Sequence, residues 1–131
     1  MIQGIGLDII ELERIRRLTV RQPRFSARIL TERELTKMAS FTDANRKIEY
    51  LAGRYAAKEA FSKALGCGIG GELSFQDIDI INREDGRPEL FCQALDQDTR
   101  ALVSITHTRD MAAAQVILER SPGPLNDKSG V

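Results

Sequence analysis

The chain has 131 residues, no formal net charge and 42% hydrophobic residues, which suits one globular domain that buries its core without disulfides or metal staples. No window is apolar for long enough to span a bilayer, and a chain without basic excess is not built to coat nucleic acid. Two separated cysteines, Cys67 and Cys92, form no CxxC and stand with a single histidine in the chain, so the composition predicts a reduced, cytoplasmic protein and argues against a zinc centre.

Residues 2–9 predict a short buried strand in which Gly4 and Gly6 let another backbone approach closely. Asp8 stands at its end, and the arginines that follow reverse the order of a signal peptide. A first helix runs from Glu11 to about Leu18, and Gln22-Pro23 breaks it. Between Arg14 and Arg28 lie six arginines and no acid. Such a patch is either a solvated helix face or a surface for an anionic partner. Phe25 is its only aromatic, so an acidic protein fits at least as well as nucleic acid.

Thr31 to Glu34 reads as a capping box that opens a short helix ending near Ser40. Thr42-Asp43 opens a long helix to about Leu65, with Ile48, Leu51, Ala52, Tyr55, Ala56 and Ala60 in its apolar stripe. The second half changes period. A half-exposed strand is predicted over Leu73–Ile81, and Asp85-Gly86 before Pro88 signals a hairpin whose return strand is Glu89–Cys92. A short turn of helix is predicted over Ala94–Arg100, then an alternating strand over Leu102–Thr108. Arg109-Asp110 is a tight turn, and Met111–Leu118 a buried final strand. Residues 1–120 are expected to form the domain, and 121–131 a disordered tail. The predicted class is α+β, with helices in the first half and an antiparallel sheet mainly from the second.

The segment Arg54 to Ile69 holds the densest chemistry. Glu59 and Lys63 lie four apart on one helix face that leads into glycines. This is either a surface ion pair with a glycine stop or a magnesium–phosphate site. The pattern Gly66, Gly68, Gly71 is not a dinucleotide fingerprint, because a helix precedes it and a strand follows; a helix C-terminus explains it better. Asp8 and Glu59 are the candidate magnesium pair, since that ion takes one or two carboxylates with waters and phosphate oxygens. His107, at a polar strand end, is a candidate anion contact.

The segments GIGLDIIEL (4–12), ARILTERE (27–34), LAGRYAAKEAFSKALGCGIG (51–70), LSFQDIDI (73–80), DGRP (85–88) and VSITHTRDMAAAQVI (103–117) together resemble the holo-acyl-carrier-protein synthases. These are the small stand-alone branch of the 4′-phosphopantetheinyl transferases. The likeness runs in order from Met1 to about Arg120. It implies transfer of 4′-phosphopantetheine from coenzyme A to a serine of apo-acyl-carrier protein, dependent on Mg2+, in support of fatty acid biosynthesis. It implies that Asp8 and Glu59 bind the metal and that Lys63 lies by the transferred phosphate, the three forming the catalytic set. Arg46, Arg54, His107 and Thr108 are the implied coenzyme A contacts beside Lys63, and Arg14, Arg21 and Arg24 the implied docking arginines for the carrier. The resemblance further implies a homotrimer with active sites between protomers, and neither membrane nor nucleic acid as partner. The serine proton goes to a water activated by the metal, to Glu59, or to a nearby acid such as Glu34. Two rival readings are a non-catalytic coenzyme A or nucleotide-binding module and an arginine-patch adaptor for acidic proteins.

Overall fold

The first strand, β1 (Ile2–Glu11), lies directly on the long helix α4 (Ala44–Leu65) because two of its residues have no side chain. A Cβ on Gly4 would stand 2.2 Å from the Ala64 carbonyl oxygen, and one on Gly6 1.7 Å from that of Ala60. The glycines therefore do what the sequence predicts, and the helix offers only alanine in return. The computed structural model describes residues 1–122. Between these elements come α1 (Leu12–Arg21), α2 (Phe25–Ile29) and α3 (Glu32–Ala39). After α4 follow a 3-10 turn at Phe75–Asp77, the hairpin strands β2 (Ile78–Asn82) and β3 (Pro88–Cys92), then β4 (Thr99–His107) and β5 (Met111–Arg120).

The fold is α+β. One antiparallel sheet has the order β1-β5-β4, and β2-β3 form a separate antiparallel pair. β5 is central, as its buried pattern predicts: Ala112, Ala114, Val116 and Leu118 alternate inward against α4. The small Ala112 and Ala114 let the helix seat closely on the strand that pairs with the Asp8 end of β1. α4 is buried on most sides, not along one stripe, since the sheet covers one flank and α1, α2 and α3 pack against the rest. None of the described helices is long and apolar enough to cross a membrane.

Several expected elements take the expected form. The capping box is closed on both sides: Glu34 N donates to Thr31 Oγ1 at 3.3 Å, and Thr31 N donates to Glu34 Oε1 at 2.8 Å. α4 ends at Gly66, whose left-handed φ of +83° suits a residue without Cβ. Three details differ from expectation. Pro23 is followed at once by the short helix α2, which carries Phe25 and Ile29 into the core; five residues are too few to show a period. The strand expected from Leu73 begins only at Ile78, because Ser74 and Asp77 close a capping box around a 3-10 turn. No helix forms over Ala94–Arg100; two turns, Leu95 N to Cys92 O and Thr99 N to Asp96 O, lead straight into β4. At the C-terminal end Ser121 N still donates to Asp98 O at 2.7 Å, and the rest of the expected tail, from residue 123, lies outside the described residues.

Candidate active site

Alternation along β1 sets the first half of the site. Gly4, Gly6, Asp8 and Ile10 point toward α4, while Ile5, Leu7 and Ile9 point away. The close seat of Gly6 on Ala60 therefore delivers Asp8 to the flank of α4 that carries Glu59 and Lys63. Lys63 Nζ donates to Asp8 Oδ1 at 2.9 Å and to the Leu7 carbonyl at 3.0 Å. Burial pushes the Glu59 carboxyl above its ordinary range, and the Asp8 charge adds to that; Lys63 and Arg14 pull it back. Two mutually repelling carboxylates on rigid elements are a fitting seat for a hard divalent cation. No third acid, histidine or cysteine joins them among the described residues, which leaves coordination positions for water and phosphate oxygens. Lys63 is thus bonded to Asp8, and Glu59 lies on the same flank of α4, close enough to feel both charges.

A second group of predicted residues gathers elsewhere. Arg46, Arg54 and His107 line an open cleft of about 450 Å³ that contains neither Asp8, Glu59 nor Lys63. Arg54 is only 6% exposed; its guanidinium lies 4.4 Å from the Tyr50 ring centroid and donates to Asn82 Oδ1 at 2.7 Å. Its Nε is buried with no protein acceptor. Arg46 Nη1 and His107 Nε2 both stand 3.8 Å from Glu49 Oε1, and Arg46 also covers the Phe41 ring. Lys37 and Arg83 add two more cations to the walls. An orphaned buried donor amid cations and aromatic faces fits an anionic, ring-bearing ligand. Lys37, Phe41, Asn82 and Arg83 are not among the predicted residues, because they come from two segments some forty residues apart, 37–41 and 82–83, and no spacing links these to Arg54. Thr108 is not in this cleft; its hydroxyl accepts from Asp110 N and Met111 N and closes the β4–β5 turn.

The arginines divide similarly. Arg16 is tied to Glu13 and Asn45, and Arg28 to Gln22, whereas Arg14, Arg17, Arg21 and Arg24 make no ion pair among the described residues. Val20 stands 81% exposed among them. Of these, Arg14 is near enough to Glu59 for its charge to counter the rise in that carboxyl's pKa. Glu34, by contrast, is unavailable as a base. It is wholly buried, and its oxygens accept from Thr31 N, Ile80 N and Lys58 Nζ. A larger cleft of about 580 Å³ between β3 and β4 shares Arg83 with the cationic cleft but holds none of the predicted site residues.

Residues 4–117 match the family model of the 4′-phosphopantetheinyl transferase superfamily. The chain is 59% identical over 120 residues to a holo-[acyl-carrier-protein] synthase of Bacillus velezensis, spanning 92% of this chain and 98% of that protein. It is 56% identical to the Bacillus subtilis protein of that name over the same shares of each chain. Its fold is similar, with a TM-score of 0.82 and 45% identity, to a crystal structure of a holo-(acyl-carrier-protein) synthase from Bacillus anthracis in complex with CoA (3′,5′-ADP), covering 92% of this chain and 99% of that one. This fold and the family match over residues 4–117 define a phosphopantetheinyl transferase, and the chain belongs to that superfamily. Within it the chain is an enzyme of the holo-[acyl-carrier-protein] synthase family, which sets aside the two non-catalytic readings.

Proposed function

We propose that this enzyme transfers 4′-phosphopantetheine from coenzyme A to a serine of apo-acyl-carrier protein, with Mg2+ held by Asp8 and Glu59 and with adenosine 3′,5′-bisphosphate as the second product. The observation that carries it is the Lys63–Asp8 bond on the α4 flank that bears Glu59, with Arg14 close by. The serine oxygen attacks the phosphorus that bears pantetheine, and the bond to the bridging pyrophosphate oxygen breaks. The leaving bisphosphate takes the electron pair. Magnesium, held by Asp8 and Glu59, would supply neutralisation of the charge that builds on the phosphates. Lys63, whose ammonium rests on Asp8 and Leu7, stands ready to turn to the phosphoryl oxygens as charge builds on them. With Glu34 closed off, the serine proton passes to Glu59 or to solvent.

The cationic cleft suits the nucleotide. Arg54 Nε and the neighbouring cations Arg46, Lys37 and Arg83 can meet its phosphates, and His107 stands at the rim. Arg54 precedes Glu59 by five residues, which places the two about 140° apart around α4. One protomer therefore presents its nucleotide cleft and its carboxylate pair on different sides. This supports an active site completed by a second copy of the chain. The outward face of β1, where Ile5, Leu7 and Ile9 are 60%, 56% and 58% exposed, and Leu102 of β4 offer the apolar surface for a homotrimer. Arg14, Arg21 and Arg24 with the exposed Val20 suit an acidic, partly apolar carrier helix. The free cysteines Cys67 and Cys92 suit a cytoplasmic enzyme of fatty acid biosynthesis. Intact-mass measurement of apo-acyl-carrier protein after incubation with enzyme, coenzyme A and Mg2+ tests the reaction. A gain of one phosphopantetheine, lost with EDTA, is expected; no gain from folded enzyme rejects it.

A further inference from the structure

We infer that the buried pair Lys58–Glu34 is a positioning device for Glu59, fixing the rotation of α4 about its axis and hence where Glu59 and Lys63 point. Lys58 is wholly buried, and its ammonium donates to Glu34 Oε1 at 2.6 Å, to the Ile29 carbonyl at 2.8 Å and to the Phe75 carbonyl at 3.1 Å. Those three bonds use all its protons. Glu34 in turn holds Thr31 N at 2.8 Å and Ile80 N at 2.7 Å. One ion pair thus ties α4 to α2, α3, β2 and the 3-10 turn.

Stability alone does not call for such a pair, since well-packed apolar residues of similar volume serve as well or better. Directional bonds do something apolar contact does not. Much of the buried surface of α4 is alanine, at 52, 56, 57, 60 and 64, and small side chains resist rotation weakly. At about 100° per residue, Ala60 and Ala64 lie some 200–240° from Lys58, and Glu59 and Lys63 some 100–140° from it. β1 holds one side of the helix through its glycines, and the ion pair holds the opposite side. Glu59 and Lys63 occupy the flank between these two anchors. A rotation of about 20° would carry a carboxylate 5–6 Å from the axis through about 2 Å, enough to spoil a shared metal site.

The inference rests on the metal-holding role of Asp8 and Glu59. Its test is a Lys58→Met/Glu34→Gln double variant beside Leu118→Ala, a core change at the far end of β5. Mn2+ binding is titrated by electron paramagnetic resonance with coenzyme A present and no carrier, and transfer is followed against Mg2+. In the folded double variant Mn2+ affinity is expected to fall about tenfold or more, the range for lost support of a metal ligand, and half-saturating Mg2+ to rise in step. The carrier KM should stay unchanged, and Leu118→Ala should bind Mn2+ like the wild type despite its lower Tm. Wild-type Mn2+ affinity and Mg2+ dependence in the double variant, or an equal loss in Leu118→Ala, overturns the inference alone. A wild type that binds no Mn2+ overturns the metal reading and the inference together. Should the double variant not fold, Glu34→Gln is read the same way: it keeps one oxygen to accept from Thr31 N and Lys58, removes the charge, and sets an NH2 group against the Ile80 N–H.

Discussion

Glu59 sits under two opposing demands. Its carboxylate must ionise to hold a cation, yet burial and Asp8 raise its pKa above the usual glutamate value of about 4.3. The sign follows from that direction. A carboxyl whose folded pKa is raised favours the fold while protonated, and that advantage is lost as pH rises through the folded pKa. In metal-free enzyme at pH 7, Glu59→Gln is therefore expected to raise Tm by about 1–3 °C, a gain that disappears near pH 4. Differential scanning calorimetry at the two pH values checks it. The acid limb of kcat/KM should lie above pH ~4.3 and move lower as Mg2+ is raised. A limb that ignores Mg2+ would remove Glu59 from the metal site. Asp8→Ala and Glu59→Ala should each cut Mg2+-dependent transfer about 100-fold or more while the circular dichroism spectrum stays native.

At the scale of elements, the β1–α4 contact and the α1 face carry separate predictions. Gly6→Ala puts a methyl group 1.7 Å from the Ala60 carbonyl oxygen, a backbone atom of a helix held on both sides. One element must move, and a loss of about 2–4 kcal/mol in urea unfolding is expected, with Asp8 displaced and Mg2+ dependence shifted. A neutral Gly6→Ala would mean that the contact is far looser than the structure has it. Arg14→Glu reverses a charge that no acid among the described residues pairs within 4 Å. It should raise the carrier KM about tenfold and flatten the decline of kcat/KM with salt, leaving coenzyme A binding unchanged. An effect confined to coenzyme A would put the docking face elsewhere.

For the whole molecule, the outer face of the sheet is the feature one protomer leaves unexplained. Ile5 and Leu102 both stand opposite Ile117 of the central strand, so the apolar surface runs across all three strands. If the proposed homotrimer forms through this face, Leu7→Glu should yield a folded monomer by sedimentation equilibrium, with transfer reduced about 100-fold because the cleft of one copy no longer meets the carboxylate pair of another. A fully active monomer would show instead that a single chain holds a complete site.

Local chemistry was legible in the sequence wherever neighbours in the chain are neighbours in space. The capping box at Thr31, the Gly66 helix stop, the Asp85-Gly86 hairpin and the Glu59–Lys63 face all depend on offsets of a few residues, which helix and turn geometry fix by themselves. The residues themselves marked Asp8 and the arginine run as candidates, and the resemblance gave them roles, without placing them. The tertiary structure decided everything that joins distant segments. It brought Asp8 to Lys63 across 55 residues through the glycine seat, and it gathered Lys37, Asn82 and Arg83 around Arg54. It also turned Glu34 from an eligible base into half of a buried ion pair, and gave Lys58, an unremarked lysine between two alanines and a glutamate, the other half. The reason is physical: burial, desolvation and charge pairing depend on which surfaces meet, and a sequence without its fold does not specify those meetings.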